Sequence, residues 1–202
     1  DTSAVRIIGP HNLDNILAVL AVARVLGISA DIVEGVVRSF SGLPHRLEFV
    51  AEKNGIKFYD DAISTTPEST LAAINTFNEK LGGIILGGLD RGYNFSALAK
   101  RLAELKTPVI ILLPGSREKI EQAFINLAVA SSPSLGGGAK ERGGGVINIR
   151  HANDMPSAVA LLFAHCPSGT IALLSTATPS YDIFKNYKDQ GDQFKTAILE
   201  SK

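Results

Sequence analysis

The sequence predicts an α/β fold, a six-stranded and mostly parallel sheet with helices on both faces, and three observations carry that expectation. From residue 47 onward, short runs of strand length alternate with helix-length stretches whose apolar residues recur every three to four positions. The runs 84–86 and 109–113 are apolar throughout and 170–174 is apolar after Thr170, as expected of strands covered on both faces and joined by right-handed crossovers. One segment alternates instead: Leu47, Phe49 and Ala51, then Ile56 and Phe58, about the turn Asn54-Gly55. That pattern is a hairpin with a type I′ turn, and it puts one antiparallel strand at the sheet edge.

Taken in order, residues 1–8 read as a short strand or a connecting segment, punctuated by Gly9-Pro10-His11-Asn12. A helix follows over 12–26, apolar on nearly every face and closed by Gly27, so it calls for burial on several sides. Ser29 caps a second helix with the stripe Ile32, Val33, Val36, Val37 and Phe40, and Ser41-Gly42-Leu43-Pro44 ends it as a linker. Beyond the hairpin, Leu71, Ile74, Phe77 and Leu81 mark a helix that begins at the cap Thr66 and Pro67. Leu98, Leu102 and Leu105 mark the next. Ser116 caps another, with Ile120, Phe124 and Leu127. A strand is expected at 146–149, a helix at 154–165, and helical pattern from 181 to the end. Residues 131–145, with two triple-glycine runs, read as a flexible surface loop. They are not a phosphate loop: Lys140 is followed by Glu141, and no G-x-x-x-x-G-K spacing exists in the sequence. No G-x-G-x-x-G follows a strand either, which argues against a dinucleotide-dependent oxidoreductase.

The chain has 202 residues, 45% of them hydrophobic and 20% charged, enough for one domain plus something extra. A formal net charge of zero offers no basic footprint for nucleic acid or an anionic membrane. The single cysteine, Cys166, fits a reducing compartment, and the four histidines lack metal-ligand spacing. The run 16–26 is too short to span a bilayer and contains Arg24. A cytoplasmic protein without metal ligands is the expectation.

In open parallel sheets, ligands bind beyond the carboxyl ends of the strands. Three such loops carry chemistry. The first is Asp60-Asp61-Ala62-Ile63-Ser64-Thr65-Thr66-Pro67, two carboxylates and three hydroxyls before a helix start. The second is Gly87-Gly88-Leu89-Asp90-Arg91-Gly92, with a guanidinium among glycines. The third is Ser175-Thr176-Ala177-Thr178-Pro179-Ser180. Helix starts rich in donors, together with one cation, suit a small anion such as a carboxylate or phosphate. Plainer readings fit the same residues: turn chemistry for the hydroxyls and an ion pair of Arg91 with Asp90 or Glu79. No nucleophile–base arrangement is present, so binding and positioning are expected rather than covalent catalysis.

Five segments, in order along the chain, resemble the Mur ligases. Gly9-Pro10-His11-Asn12-Leu13-Asp14-Asn15 is similar to their G-x-H-N-x-x-N segment, and Gly42-Leu43-Pro44-His45-Arg46-Leu47-Glu48 to their interdomain joint. The stretch from Phe58 to Glu68, the Gly87–Phe95 segment and Ser180-Tyr181-Asp182-Ile183-Phe184-Lys185-Asn186-Tyr187 with Gly191-Asp192-Gln193-Phe194 resemble the D-glutamate-adding branch. The resemblance implies a Rossmann-like domain over 43–202, preceded by residues 1–42 as a remnant of the ATP-binding domain. It implies activation of the L-alanyl carboxylate of UDP-N-acetylmuramoyl-L-alanine by ATP and Mg2+ as an acyl phosphate, which the D-glutamate amine attacks. By motif position, Asn12, Asn15, Arg46 and Asp61 contact nucleotide, with the asparagines near the adenine and Asp61 on the ribose. Thr65, Arg91, Ser180, Tyr181 and Tyr187 surround D-glutamate. The sequence departs from the family at Arg91, where lysine is usual, at Ala62, where serine is usual, and at Ile63, where some members carry lysine. The family's phosphate loop, magnesium ligands and UDP-sugar domain lie N-terminal of the matching region, so the resemblance implies a fragment unable to ligate alone. Two alternatives stay open: a non-catalytic α/β module for small anions, and a relative with another amino-acid substrate.

Overall fold

A computed structural model describes residues 5–131 and 147–201. Two helices come first, α1 (Pro10–Val25) and α2 (Ala30–Ser39). The joint at 40–47 leads into the hairpin β1 (Glu48–Lys53) and β2 (Ile56–Asp60). Then follow α3 (Pro67–Phe77), β3 (Leu81–Gly88), α4 (Ser96–Glu104), β4 (Val109–Gly115) and α5 (Arg117–Ser131). The chain closes with β5 (Ile149–His151), α6 (Met155–His165), β6 (Ile171–Leu174) and α7 (Tyr187–Glu200).

The hairpin turns where Asn54 (φ 54°) and Gly55 (φ 74°) both take positive φ, as a type I′ turn demands. A register shift between Phe49 and Ala51 marks a bulge in β1. Strand order is β1-β2-β6-β3-β4-β5, and every pairing except β1–β2 is parallel. The chain moves outward from β2 through β3 and β4 to β5, then returns to β6. Right-handed crossovers therefore put the outward helices on one face and the returning ones on the other. Two apolar cores record this. Ile74 of α3, Leu98 of α4 and Ile120 of α5 share one, whereas Leu162 of α6 and Phe194 of α7 share the second. Along β4, Ile110 and Leu112 face the first core and Val109, Ile111 and Leu113 the second, the period of two of a pleated strand.

Several boundaries differ from the sequence expectation. Residues 5–9 form no strand. The helix after Thr66 stops at Phe77 because Asn78 adopts φ 48°, and Leu81 opens β3 rather than closing a helix. Strand β5 lies at 149–151, past the expected 146–149, and residues 181–186 are turns, α7 starting only at the cap Asn186. Ser29 holds its N-cap position without a side-chain bond, and the Ser116 hydroxyl, just before α5, has no partner among the described residues. The glycine-rich run at 131–145 lies almost entirely outside the described residues. Helix α1 is not buried on several sides: Leu17, Val22 and Val25 are 62%, 59% and 86% exposed, while Asn12 and Ala23 are buried. No helix among the described residues is long and apolar enough to cross a membrane.

Candidate functional site

The strand order makes β2, β6 and β3 neighbours, so the three loops singled out by sequence leave adjacent carboxyl ends. After β2 the chain turns through Asp60 and Asp61, both buried. Asp61 Oδ1 accepts from the Leu47 amide at 3.2 Å, and Oδ2 from the Ser175 hydroxyl at 2.8 Å. Ser175 Oγ lies 2.9 Å from Thr70 Oγ1 in α3, so the carboxylate ties the joint, β6 and α3 together. Burial pushes the Asp61 carboxyl up to about 6, against the opposing pull of the Ser64 and Ser175 hydroxyls, the Leu47 amide and the Arg46 charge. Thr65 is half-buried just ahead of α3. Thr66 closes a capping box with Ser69, and Pro67 occupies the first turn, as its missing amide proton allows.

The loops after β3 and β6 approach each other closely enough to need glycine. Gly88 has φ 142°, and a Cβ there would lie 2.4 Å from the Pro179 carbonyl oxygen. The Leu89 amide donates to that oxygen at 2.7 Å, and the Gly87 amide to the Thr176 oxygen at 3.0 Å. Ser180 is buried, and its carbonyl accepts from Phe184 N at 3.0 Å, while Tyr181 is 63% exposed. Tyr187 heads α7 behind the cap Asn186, whose Oδ1 accepts from the Lys188 and Asp189 amides at 3.0 Å each. Arg91 is exposed. The ion-pair alternative for it is not realised: Asp90 pairs with Lys119 at 2.7 Å, and Arg91 has no ion-pair partner among the described residues.

The nucleotide candidates separate from this rim. Asn12, Asn15 and Arg46 line one cavity of about 860 Å³ between α1, α2 and the joint, along with Phe40 and Tyr59. Asn12 Nδ2 donates to the Ile8 carbonyl at 2.6 Å, and Asn15 Nδ2 to Asn12 Oδ1 at 3.2 Å. Asp61 is not among the lining residues; it sits behind Leu47, which is. Thr65, Arg91, Ser180, Tyr181 and Tyr187 do not line this cavity either. They belong to the loops at the carboxyl edge and the start of α7.

Sequence spacing does not reveal a buried polar cluster beside the joint. His45 is 6% exposed, with Nδ1 2.7 Å from Asp60 Oδ2. Glu48 Oε2 accepts from the His45 amide at 2.8 Å and from Lys195 Nζ at 2.7 Å. His45, Glu48 and Asp60 offer ligand atoms within 4.8 Å of one another, but the Lys195 ammonium already stands among them, 3.5 Å from Asp60 Oδ2. The only signal in the sequence is the pair Asp60-Asp61 itself, one carboxylate for each partner set.

No family model matches the chain. Among curated proteins, the UDP-N-acetylmuramoylalanine–D-glutamate ligase of Pelotomaculum thermopropionicum is 34% identical over 194 residues, covering 96% of this chain and 38% of the relative. The ligase of the same name from Caldicellulosiruptor bescii is 34% identical over 192 residues, 95% of this chain and 38% of the relative. The chain thus spans about two fifths of the length of the curated relatives it matches. Among solved structures, UDP-N-acetylmuramate–alanine ligase of Thermotoga maritima shares the fold with TM-score 0.67 at 18% identity, over 98% of this chain and 40% of that one. MurF of Acinetobacter baumannii does so with TM-score 0.65 at 18% identity, over 98% of this chain and 39% of that one. Similar over nearly all its residues to these ligases in sequence, and built on the fold that the solved ones share, the chain belongs to the Mur ligase family.

Proposed function

We propose that the chain is the C-terminal, nucleotide- and amino-acid-binding portion of an ATP-dependent ligase that adds D-glutamate to UDP-N-acetylmuramoyl-L-alanine in peptidoglycan precursor synthesis. One observation carries this reading: hydroxyls, glycine-freed backbone and a guanidinium with no ion-pair partner among the described residues leave neighbouring carboxyl ends of β2, β6 and β3. The names of the sequence relatives support the choice of D-glutamate. Residues 1–42 are then the end of the ATP-binding domain, and 43–202 the C-terminal domain.

Within this reading, Thr65, Arg91, Ser180, Tyr181 and Tyr187 bind and orient D-glutamate. Arg91 matches a carboxylate with its planar fork of donors. A cavity of about 860 Å³ carrying two amides and a guanidinium is roomy enough for a nucleoside and chemically suited to it. Asn12 and Asn15 hold the base, Arg46 reaches the charged part, and Asp61 orients the ribose through the joint. When bound, ATP supplies the phosphoryl group that activates the L-alanyl carboxylate as an acyl phosphate. The residues of this portion place nucleotide and amine, and no Mg2+ ligand is assigned among them.

Calorimetric titration of the chain with D-glutamate, L-glutamate and D-alanine tests the proposal. D-glutamate should bind at least about tenfold more tightly than the other two, and Arg91→Ala should cost about tenfold or more, the usual value of a charge-assisted contact. Equal affinities for the three amino acids would refute the D-glutamate reading. An unchanged affinity in Arg91→Ala would remove Arg91 from the site.

A further inference from the structure

We propose that His45 and Asp60 act as a positioning pair, a buried contact that locks the joint onto the loop after β2 and onto α7 and so holds Arg46 and Asp61 in place for nucleotide. The inference deepens the functional reading above and rests on it.

The backbone carries the first part of the argument. Arg46 lies between two residues with positive φ, His45 at 62° and Leu47 at 45°. Such conformations are uncommon for histidine and unfavourable for leucine, and they persist only where surrounding contacts over-determine them. Those contacts are present on both sides. The His45 amide donates to Glu48 Oε2 at 2.8 Å, and the His45 carbonyl accepts from Ile63 N at 3.2 Å. The Leu47 amide donates to Asp61 Oδ1 at 3.2 Å. With its neighbours pinned, Arg46 presents its side chain to the cavity from a fixed backbone.

The side chains carry the second part. A carboxylate can only accept, so the 2.7 Å contact to Asp60 Oδ2 assigns the proton of the His45 ring to Nδ1. Asp60 spends its other oxygen on the Ala62 amide, 3.0 Å away, which fixes the turn that delivers Asp61. Helix α7 closes over the pair because residue 191 is glycine: a Cβ there would lie 2.2 Å from His45 Nδ1 and 2.5 Å from Asp60 Oδ2. From the same helix, Lys195 supplies the balancing cation, and the Tyr187 ring meets the imidazole edge-on at 5.9 Å and 84°. The pair therefore touches the nucleotide side through Arg46 and Asp61 and the amino-acid side through Tyr187. Lys195 standing between Glu48 and Asp60 also explains why this cluster is a hydrogen-bonded lock rather than a metal site.

The test is calorimetric titration of the chain with ADP, comparing wild type with His45→Asn, His45→Gln, Gly191→Ala and, as a control on the functional reading, Arg46→Ala. An asparagine amide reaches roughly the position of Nδ1 and tolerates positive φ, whereas a glutamine amide reaches that of Nε2. His45→Asn should stay within about threefold of wild type. His45→Gln should bind ADP about tenfold or more weakly, and so should Gly191→Ala, which wedges the pair apart without deleting it. Loss of the specific contact, not of a general fold element, predicts that split between two substitutions at one position. If Arg46→Ala weakens ADP while His45→Gln and Gly191→Ala match wild type, the positioning role is overturned and the functional reading survives. Equal weakening by asparagine and glutamine also overturns it. If wild type does not bind ADP, or Arg46→Ala leaves the affinity unchanged, the functional reading fails and takes the positioning role with it. Should either glutamine or alanine variant lack the wild-type circular dichroism spectrum, the remaining one decides against His45→Asn.

Discussion

Replacing Asp61 with asparagine isolates what it costs this fold to keep a buried charge beside the joint. Burial lifts the Asp61 carboxyl from 3.8 to about 6. Raising a pKa by one corresponds to about 1.4 kcal/mol, so the ionised form destabilises the folded chain by about 3 kcal/mol. The folded-state pKa is raised, so between pH 3.8 and about 6 the folded chain holds a proton that the unfolded chain has released. Stability contributed by this group is therefore full at low pH and lost as pH rises through that window. Asparagine keeps the acceptor for the Leu47 amide, and its amide can donate to Ser175 Oγ, which then donates to Thr70 Oγ1. The geometry survives without the charge. Urea unfolding of wild type and Asp61→Asn at pH 4.5, 6.0 and 7.5 should show the variant gaining on wild type by about 2 kcal/mol across the series. Stability curves that run parallel with pH would refute the argument that desolvation dominates at Asp61.

Two further substitutions test the packing and capping that place the site. Thr66→Ala removes the side chain that accepts from the Ser69 amide at 3.3 Å and should cost about 1 kcal/mol. For a chain of this size that is a fall in Tm of roughly 2–4 °C, read by differential scanning calorimetry. Phe194→Ala empties a fully buried position against Phe58 under α7 and should cost about 3–5 kcal/mol in urea unfolding. A loss below about 1 kcal/mol would mean that α7 is not anchored through this core.

The parts of the fold legible in the sequence are those set by local chemistry. Asn54-Gly55 requires two positive φ values, and the hairpin is there. Thr66-Pro67 announces a helix start, and the capping box forms. The apolar runs become the parallel strands of the sheet, and the strand-end rule locates the loops after β2, β3 and β6. Where periodicity conflicts with backbone conformation, it misleads. Leu81 falls four residues after Phe77 and so fits a helical stripe, but Asn78 turns left-handed and breaks the helix. Tyr181 and Phe184 extend the helical spacing of α7 backward, yet Asn186 takes an extended conformation and caps it later. The His45–Asp60 contact is invisible in the sequence for another reason. It joins residues 15 apart through a hairpin edge and a helix from the far end of the chain, and no spacing rule encodes such a meeting. Arg91 is ambiguous by sequence between ion pair and ligand cation, and the sequence does not show that Asp90 pairs with Lys119 instead.

The position of β6 has a consequence for how this chain acquires its shape. The strand that comes sixth in chain order among the described residues is inserted in the middle of the sheet, with β2 on one side and β3 on the other. Until residue 171 leaves the ribosome, the hairpin and the β3–β5 portion have no common partner and expose facing strand edges. Closure must then wait for contacts across more than a hundred residues, a topology that folds slowly and leaves nascent chains open to edge-to-edge association.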